Sequence, residues 1–142
     1  MTGIELIDLP RILDPRGNLT FAQFPGQLPF VIERVFWTYD VPGGEQRGGH
    51  AYYEQEEIIV ALSGSFDVMV TDVDGAVRRV PLNRSYFGLH LPALTWRHME
   101  NFSSNSLALH ISSKAYSKAD YIYDFDTYKE TVKQQSIKHG LG

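Results

Sequence analysis

The sequence predicts an all-β domain with a short helix near its C-terminal end, and three observations lead there. Short apolar or alternating runs bounded by Gly, Pro, Asp and Asn recur along most of the chain, at the spacing of a sandwich or barrel. Helical periodicity is nearly absent before residue 117. The 142 residues are 43% hydrophobic and 21% charged, which fits one compact domain with its own core.

Taken in order, the predicted strands begin with Ile4 to Leu9, followed by Leu19 to Phe24 and Val31 to Tyr39. Asp14-Pro15-Arg16-Gly17 separates the first two, and Pro42-Gly43-Gly44 follows the third, both with residues that preset a turn or tolerate positive φ. Glu57 to Ser63 and Ser65 to Thr71 flank Ser63-Gly64-Ser65, a hairpin end. Asp72-Val73-Asp74-Gly75 leads to Val77 to Leu82, then Ser85 to Leu91 and Leu107 to Ser112 complete the series. From Ser117 to Gln135 a possible cap, Asp120 in the first turn and good helix formers after Asp126 predict one or two helices. The expected organisation is a single domain over residues 1–135 with a frayed tail over residues 136–142.

Composition narrows the function classes. A domain of this length needs neither disulfides nor a structural metal to fold. Zero cysteines remove the thiolate nucleophile and the Cys-type zinc site, and are compatible with a reducing compartment, so cytoplasm is expected. A net charge of −4 without a Lys/Arg cluster argues against a nucleic-acid partner. Met1 to Pro10 lacks a basic start, and no run approaches the ~20 apolar residues of a membrane span, so no targeting segment or membrane association is expected.

The chemistry concentrates between Gly44 and Gly64. Gly44 is followed after five residues by His50-Ala51-Tyr52, after four more by Glu57 and after six more by Gly64. That spacing resembles the first motif of the cupins, in which a His-x-His pair points two imidazoles from one strand face into a barrel. Here the second imidazole is replaced by Tyr52. The second cupin motif supplies a further histidine and then an asparagine; its counterpart runs from Pro92 to Arg97 and on to Asn101, with Arg97 at the histidine position. Arginine has no lone pair and keeps its proton, so Tyr52 and Arg97 leave His50 and Glu57 as a poor metal site, and no metal is expected. His98 follows Arg97 directly, and alternation turns it to the opposite face. Arg97 could equally replace a lost metal by pairing with Glu57 inside the barrel.

The chain from about Leu6 to Tyr128 resembles a family, the WxcM-like nucleotide-sugar 3,4-ketoisomerases. These are metal-free cupins that move the carbonyl of dTDP-4-keto-6-deoxyglucose from C4 to C3. The likeness is carried by Asp14-Pro15-Arg16-Gly17-Asn18-Leu19, Pro29-Phe30-Val31-Ile32-Glu33-Arg34-Val35, Arg47-Gly48-Gly49-His50-Ala51, Leu62-Ser63-Gly64-Ser65, Gly88-Leu89, Trp96-Arg97 and Asp120-Tyr121-Ile122. It implies a cupin-type jelly-roll β-barrel and a homodimer joined through flat faces and N-terminal strand exchange. It also implies a dTDP-linked keto sugar as ligand, no cofactor, and a role in making 3-amino sugars for surface glycans.

By that resemblance His50 is the base that shuttles a proton between neighbouring sugar carbons through an enediol, which suits a group titrating near neutrality. Arg97 and Arg16 are candidates to stabilise the enediolate, and both positions resemble those that influence the C4 configuration. Arg47 is a candidate pyrophosphate contact, and Tyr39, Tyr53 or Trp37 a candidate stacking partner for the base. The family pairs a tyrosine on the Val31 to Tyr39 strand with the second histidine, whereas this chain has Phe36 and Tyr52 there. One reading makes Tyr52 the oxygen-side proton donor and Phe36 a space filler. The alternatives are a sugar-nucleotide-binding cupin with an inactive relay, a related keto-sugar epimerase, or a metal-dependent cupin oxygenase. The remaining histidines, His90, His98, His110 and His139, are expected at the surface or in core packing, the glycines 43, 44, 48 and 49 in backbone roles, and Trp37 and Trp96 in the core.

Overall fold

A computed structural model describes residues 3–140 and consists mainly of two five-stranded antiparallel sheets facing one another. The strands are β1 (Glu5–Asp8), β2 (Arg11–Ile12), β3 (Leu19–Thr20), β4 (Arg34–Tyr39), β5 (Arg47–Tyr52), β6 (Glu57–Ser63), β7 (Phe66–Thr71), β8 (Val77–Leu82), β9 (Phe87–Leu91), β10 (Trp96–Glu100), β11 (Leu107–Ser112) and β12 (Tyr121–Ile122). One sheet runs β1-β9-β6-β11-β4 and the other β12-β5-β10-β7-β8, while β2 and β3 form a separate hairpin. This is the predicted all-β jelly roll. A 3₁₀ turn at Lys118–Asp120 precedes β12, and helix α1 spans Phe125–Gly140.

The space between the sheets is used unequally. Ile59, Ala61, Phe66, Val68, Val70, Val80, Leu82, Leu89 and Leu91 fill the half bounded by β6 to β9 with a buried apolar core. The half bounded by β4, β5, β10, β11 and β12 carries polar side chains inward and stays open. A second cluster, Leu9, Leu28, Phe30, Ile58, Val60 and Ile111, lies where the chain before β4 covers the outside of the first sheet. A third, Ala51, Ile122 and Tyr128 with Trp96 and Phe125 against it, seats α1 on the second.

Three predicted strands, Glu57–Ser63, Val77–Leu82 and Leu107–Ser112, agree residue for residue with the structure. Leu19 to Phe24 shrinks to Leu19–Thr20, because the partner strand β2 offers only Arg11 and Ile12 to pair with. The helix continues through residues 136–140, where a frayed tail was expected. Ser136, Ile137 and Lys138 follow Gln134 and Gln135 without a breaker before Gly140, so nothing stops the helix earlier. Residues 141–142, the end of that tail, and the His139 side chain lie outside the described residues. Trp37 is 56% exposed, not core, because it alternates with the inward Phe36 on an edge strand whose outer face is bare. Trp96 is half-buried beneath α1. Strand β1 pairs with β9 of the same chain.

Candidate active site

The site starts with two glycines. Gly48 and Gly49 adopt φ of 99° and 71°, a region that favours glycine. A Cβ on Gly48 would meet the His98 Cα at 3.0 Å. The β5–β10 register slips here, pairing Arg97 with His50 but His98 with Gly48, so Gly49 is the extra residue of a bulge. Arg97 and His50 are therefore directly opposed, Tyr52 follows on the same inward face, and Tyr121 opposes Tyr52 from β12. His98 faces outward, where its Nε2 lies 2.6 Å from Glu100.

The first sheet supplies the facing wall. The His110–Phe36 and Ser112–Glu57 register pairs place Arg34, Phe36 and Thr38 of β4, His110 of β11 and Glu57 of β6 on one inward face. The resulting cavity, about 560 Å³, is lined by residues that include His50, Tyr52, His110, Phe36, Arg47 and Tyr121. A recess of about 30 Å³ continues from it to Glu57 and Arg97.

Charge organises this recess. Arg97 and Glu57, each about 2% exposed, form an ion pair through Nη1 and Oε1, and Arg97 Nε donates to the Thr95 carbonyl at 3.0 Å. The guanidinium carbon sits 4.9 Å from the Tyr52 ring centroid, a cation–π contact. Burial favours the neutral Glu57 carboxyl, but the Arg97 charge and then His110 outweigh it and hold the group down at about 2. Burial first, and then the Arg97 charge, depress the His50 imidazole to about 4, against the opposing pull of Glu57. His50 is thus neutral near pH 7, with a lone pair for a proton. Burial, the Glu57 charge and a hydrogen bond with Tyr121 keep the Tyr52 phenol protonated far above the usual tyrosine range.

Five buried side-chain atoms have no hydrogen-bond partner among the described residues: Arg34 Nε, His50 Nε2 and Arg97 Nη2, and also Glu57 Oε2 and His110 Nδ1, which face each other at 3.4 Å. All five belong to residues lining the cavity or its recess. Buried polar groups are ordinarily satisfied, so their convergence marks a place built for a polar ligand.

Of the sequence-predicted residues, the structure brings His50, Tyr52, Arg47 and Arg97 together at this cavity. Tyr39 lines an adjoining cleft of about 440 Å³ that shares Thr38, Gln46 and Arg47 with it. Arg16 stands apart. Its side chain is 90% exposed in the β2–β3 turn and paired with Asp14 at 2.9 Å. Phe36 does more than fill space, since it stacks on His110 with centroids 4.3 Å apart and planes within 5°. His110, 4% exposed and expected in core packing, instead faces the cavity. Thr38, Arg34 and the Tyr116, Tyr121 and Tyr123 group at the cavity wall were also missed. Strand alternation from Phe36 was the signal for Arg34 and Thr38, and the Asp120-Tyr121-Ile122 segment for the tyrosines. His90 pairs with Glu56 at 2.8 Å, away from the cavity.

The donor set does not fit the metal of other cupins. A guanidinium occupies the carboxylate's near side, and among the described residues no group of three or more His, Cys, Asp or Glu side chains is placed to hold a metal ion.

Comparison with known proteins places the chain among sugar isomerases. A curated relative, the TDP-4-oxo-6-deoxy-α-D-glucose-3,4-oxoisomerase of Aneurinibacillus thermoaerophilus, is 30% identical over 134 residues, covering 94% of this chain and 96% of the relative. The sugar 3,4-ketoisomerase QdtA of Thermoanaerobacterium thermosaccharolyticum, solved with TDP, is 27% identical with a TM-score of 0.91, covering 95% of this chain and 98% of that one. The TDP-quinovose 3,4-ketoisomerase WlaRB of Campylobacter jejuni is 31% identical with a TM-score of 0.86, covering 92% and 99%. The family model described as FdtA, WxcM-like, C-terminal, matches residues 2–133, and this chain belongs to that family.

Proposed function

We propose that this protein is an isomerase that moves the keto group of a dTDP-4-keto-6-deoxyhexose from C4 to C3 through an enediol. The observation that carries the reading is the convergence of three unpartnered buried polar atoms, Arg34 Nε, His50 Nε2 and Arg97 Nη2, on one cavity, with a neutral His50 opposite the Arg97 guanidinium. His50 removes the C3 proton and returns one to C4. Arg97 stabilises the enediolate by its fixed charge, and the protonated Tyr52 phenol donates toward a sugar oxygen. Arg47 binds the pyrophosphate, and Tyr39 in the adjoining cleft stacks on the base. No metal or cofactor takes part. The 3-keto product then serves an aminotransferase making 3-amino-3,6-dideoxy sugars for surface glycans, in the cytoplasm. No helix among the described residues is long and apolar enough to cross a membrane.

The working unit is a homodimer. Val35, Trp37 and Tyr39 form an exposed apolar stripe on edge strand β4, and such an edge is normally covered.

The test is direct. Incubated with freshly made dTDP-4-keto-6-deoxyglucose, the protein yields a new 3-keto species by proton NMR. Saturable binding without a new species supports the inactive-relay reading, and a 4-keto product inverted at a neighbouring carbon supports the epimerase.

A further inference from the structure

Moving a carbonyl by one carbon relocates two protons. The carbon-bound proton passes from C3 to C4 through His50, and a second must leave the C3 hydroxyl and arrive on the C4 oxygen. The Tyr52 phenol is poorly suited to this second transfer, because burial and Glu57 hold its proton tightly. A shuttling group needs both a lone pair and a transferable proton, which an imidazole combines.

His110 meets that requirement in a defined setting. It is diagonal on one sheet face to Thr38 on β4 and to Glu57 on β6. Its Nε2 lies 3.3 Å from Thr38 Oγ1, and its Nδ1 lies 3.4 Å from Glu57 Oε2. Neither Nδ1 nor Oε2 has another hydrogen-bond partner among the described residues. The ring plane is fixed by Phe36, which stacks on it and is covered in turn by the Arg34 guanidinium at 4.6 Å. Thr38 and His110 both line the cavity that holds His50. The order hydroxyl, imidazole, carboxylate is that of a triad, and contacts of this length tighten into hydrogen bonds when substrate binds.

We infer that Thr38, His110 and Glu57 form the oxygen-side proton relay of this site, standing in for the tyrosine–histidine pair that Phe36 and Tyr52 have displaced. The inference rests on the isomerase reading. The balance closes within the substrate: His50 takes the C3 proton, giving an enediolate with a C3–C4 double bond. His110 then supplies a proton through the Thr38 hydroxyl to the C4 oxygen and recovers one from the C3 hydroxyl by the same route. His50 finally protonates C4. C3 is oxidised, C4 is reduced, and Glu57 remains ionised while it orients the imidazole.

The experiment follows deuterium at C3 and the 3-keto product separately, in deuterated buffer with dTDP-4-keto-6-deoxyglucose. Wild type accumulates both. In Thr38→Val and His110→Gln the product rate falls about 100-fold, the scale of a lost proton-transfer group, while C3 exchange stays within a few-fold. Thr38→Ser restores the product. Exchange and product falling together, or both unchanged, would overturn the relay. If His110→Gln does not fold by circular dichroism, the near-isosteric Thr38 pair decides alone. A wild type that exchanges nothing refutes the isomerase reading instead.

Discussion

Replacing Glu57 with Gln removes the carboxylate from beside Arg97 and leaves a guanidinium that is about 2% exposed without its counter-charge. Its remaining side-chain hydrogen bond goes to the Thr95 carbonyl, and Nη2 has no partner among the described residues. Breaking one side of such a buried pair costs about 3–5 kcal/mol. In a domain of this size each kcal/mol is worth about 3–4 °C, so Tm falls by roughly 10–20 °C. The double variant Glu57→Gln/Arg97→Met removes both charges, and replacing a buried pair by apolar volume is close to neutral, so it recovers most of the loss. Thermal and urea denaturation followed by circular dichroism measure both, and the coupling between the two sites comes from the cycle. A single variant that loses less than about 1 kcal/mol, or a double variant no more stable than the single, would refute the view that this pair is a tightly held charge couple.

Other predictions are equally specific. Because His50 titrates at about 4, kcat/KM is flat across neutral pH and falls only as pH drops toward that value; a midpoint between pH 6 and 7 would contradict the burial argument. The unfolded imidazole takes up its proton near 6.5 and the folded one near 4, so stability is lost as pH falls through that window, by up to about 3 kcal/mol, and His50→Asn removes this contribution. Tyr52→Phe keeps the buried ring against Arg97, removes one hydrogen bond to a sugar oxygen and lowers kcat/KM roughly tenfold; an unchanged kcat/KM would reduce Tyr52 to a packing residue. Trp37→Lys places a charge in the exposed stripe of β4 and converts the dimer to monomer in sedimentation velocity, whereas a wild type that sediments as a monomer would remove the homodimer.

The sequence made some of this legible and hid the rest for identifiable reasons. Motif spacing located His50, alternation from it placed Tyr52 inward, and alternation from Arg97 placed His98 outward, as the structure has them. The strand predictions omitted Arg47–Tyr52 and Trp96–Glu100, which carry the catalytic candidates. Gly48 and Gly49 depress strand propensity, while Arg97 turns a charge inward where the pattern expects an apolar side chain. The two-residue strands β2 and β12 are too short to show any period. His110 was missed because a lone histidine among apolar neighbours, Leu109 and Ile111, reads as core packing. Its role emerges only when three strands bring Phe36, Thr38 and Glu57 beside it.

The central claim is that His50 carries the carbon-bound proton. Proton NMR in deuterated buffer with dTDP-4-keto-6-deoxyglucose, comparing wild type with His50→Asn, tests it most directly. Wild type is expected to gain deuterium at C3 and the variant none, while the variant still binds TDP. Exchange that survives in His50→Asn would contradict it.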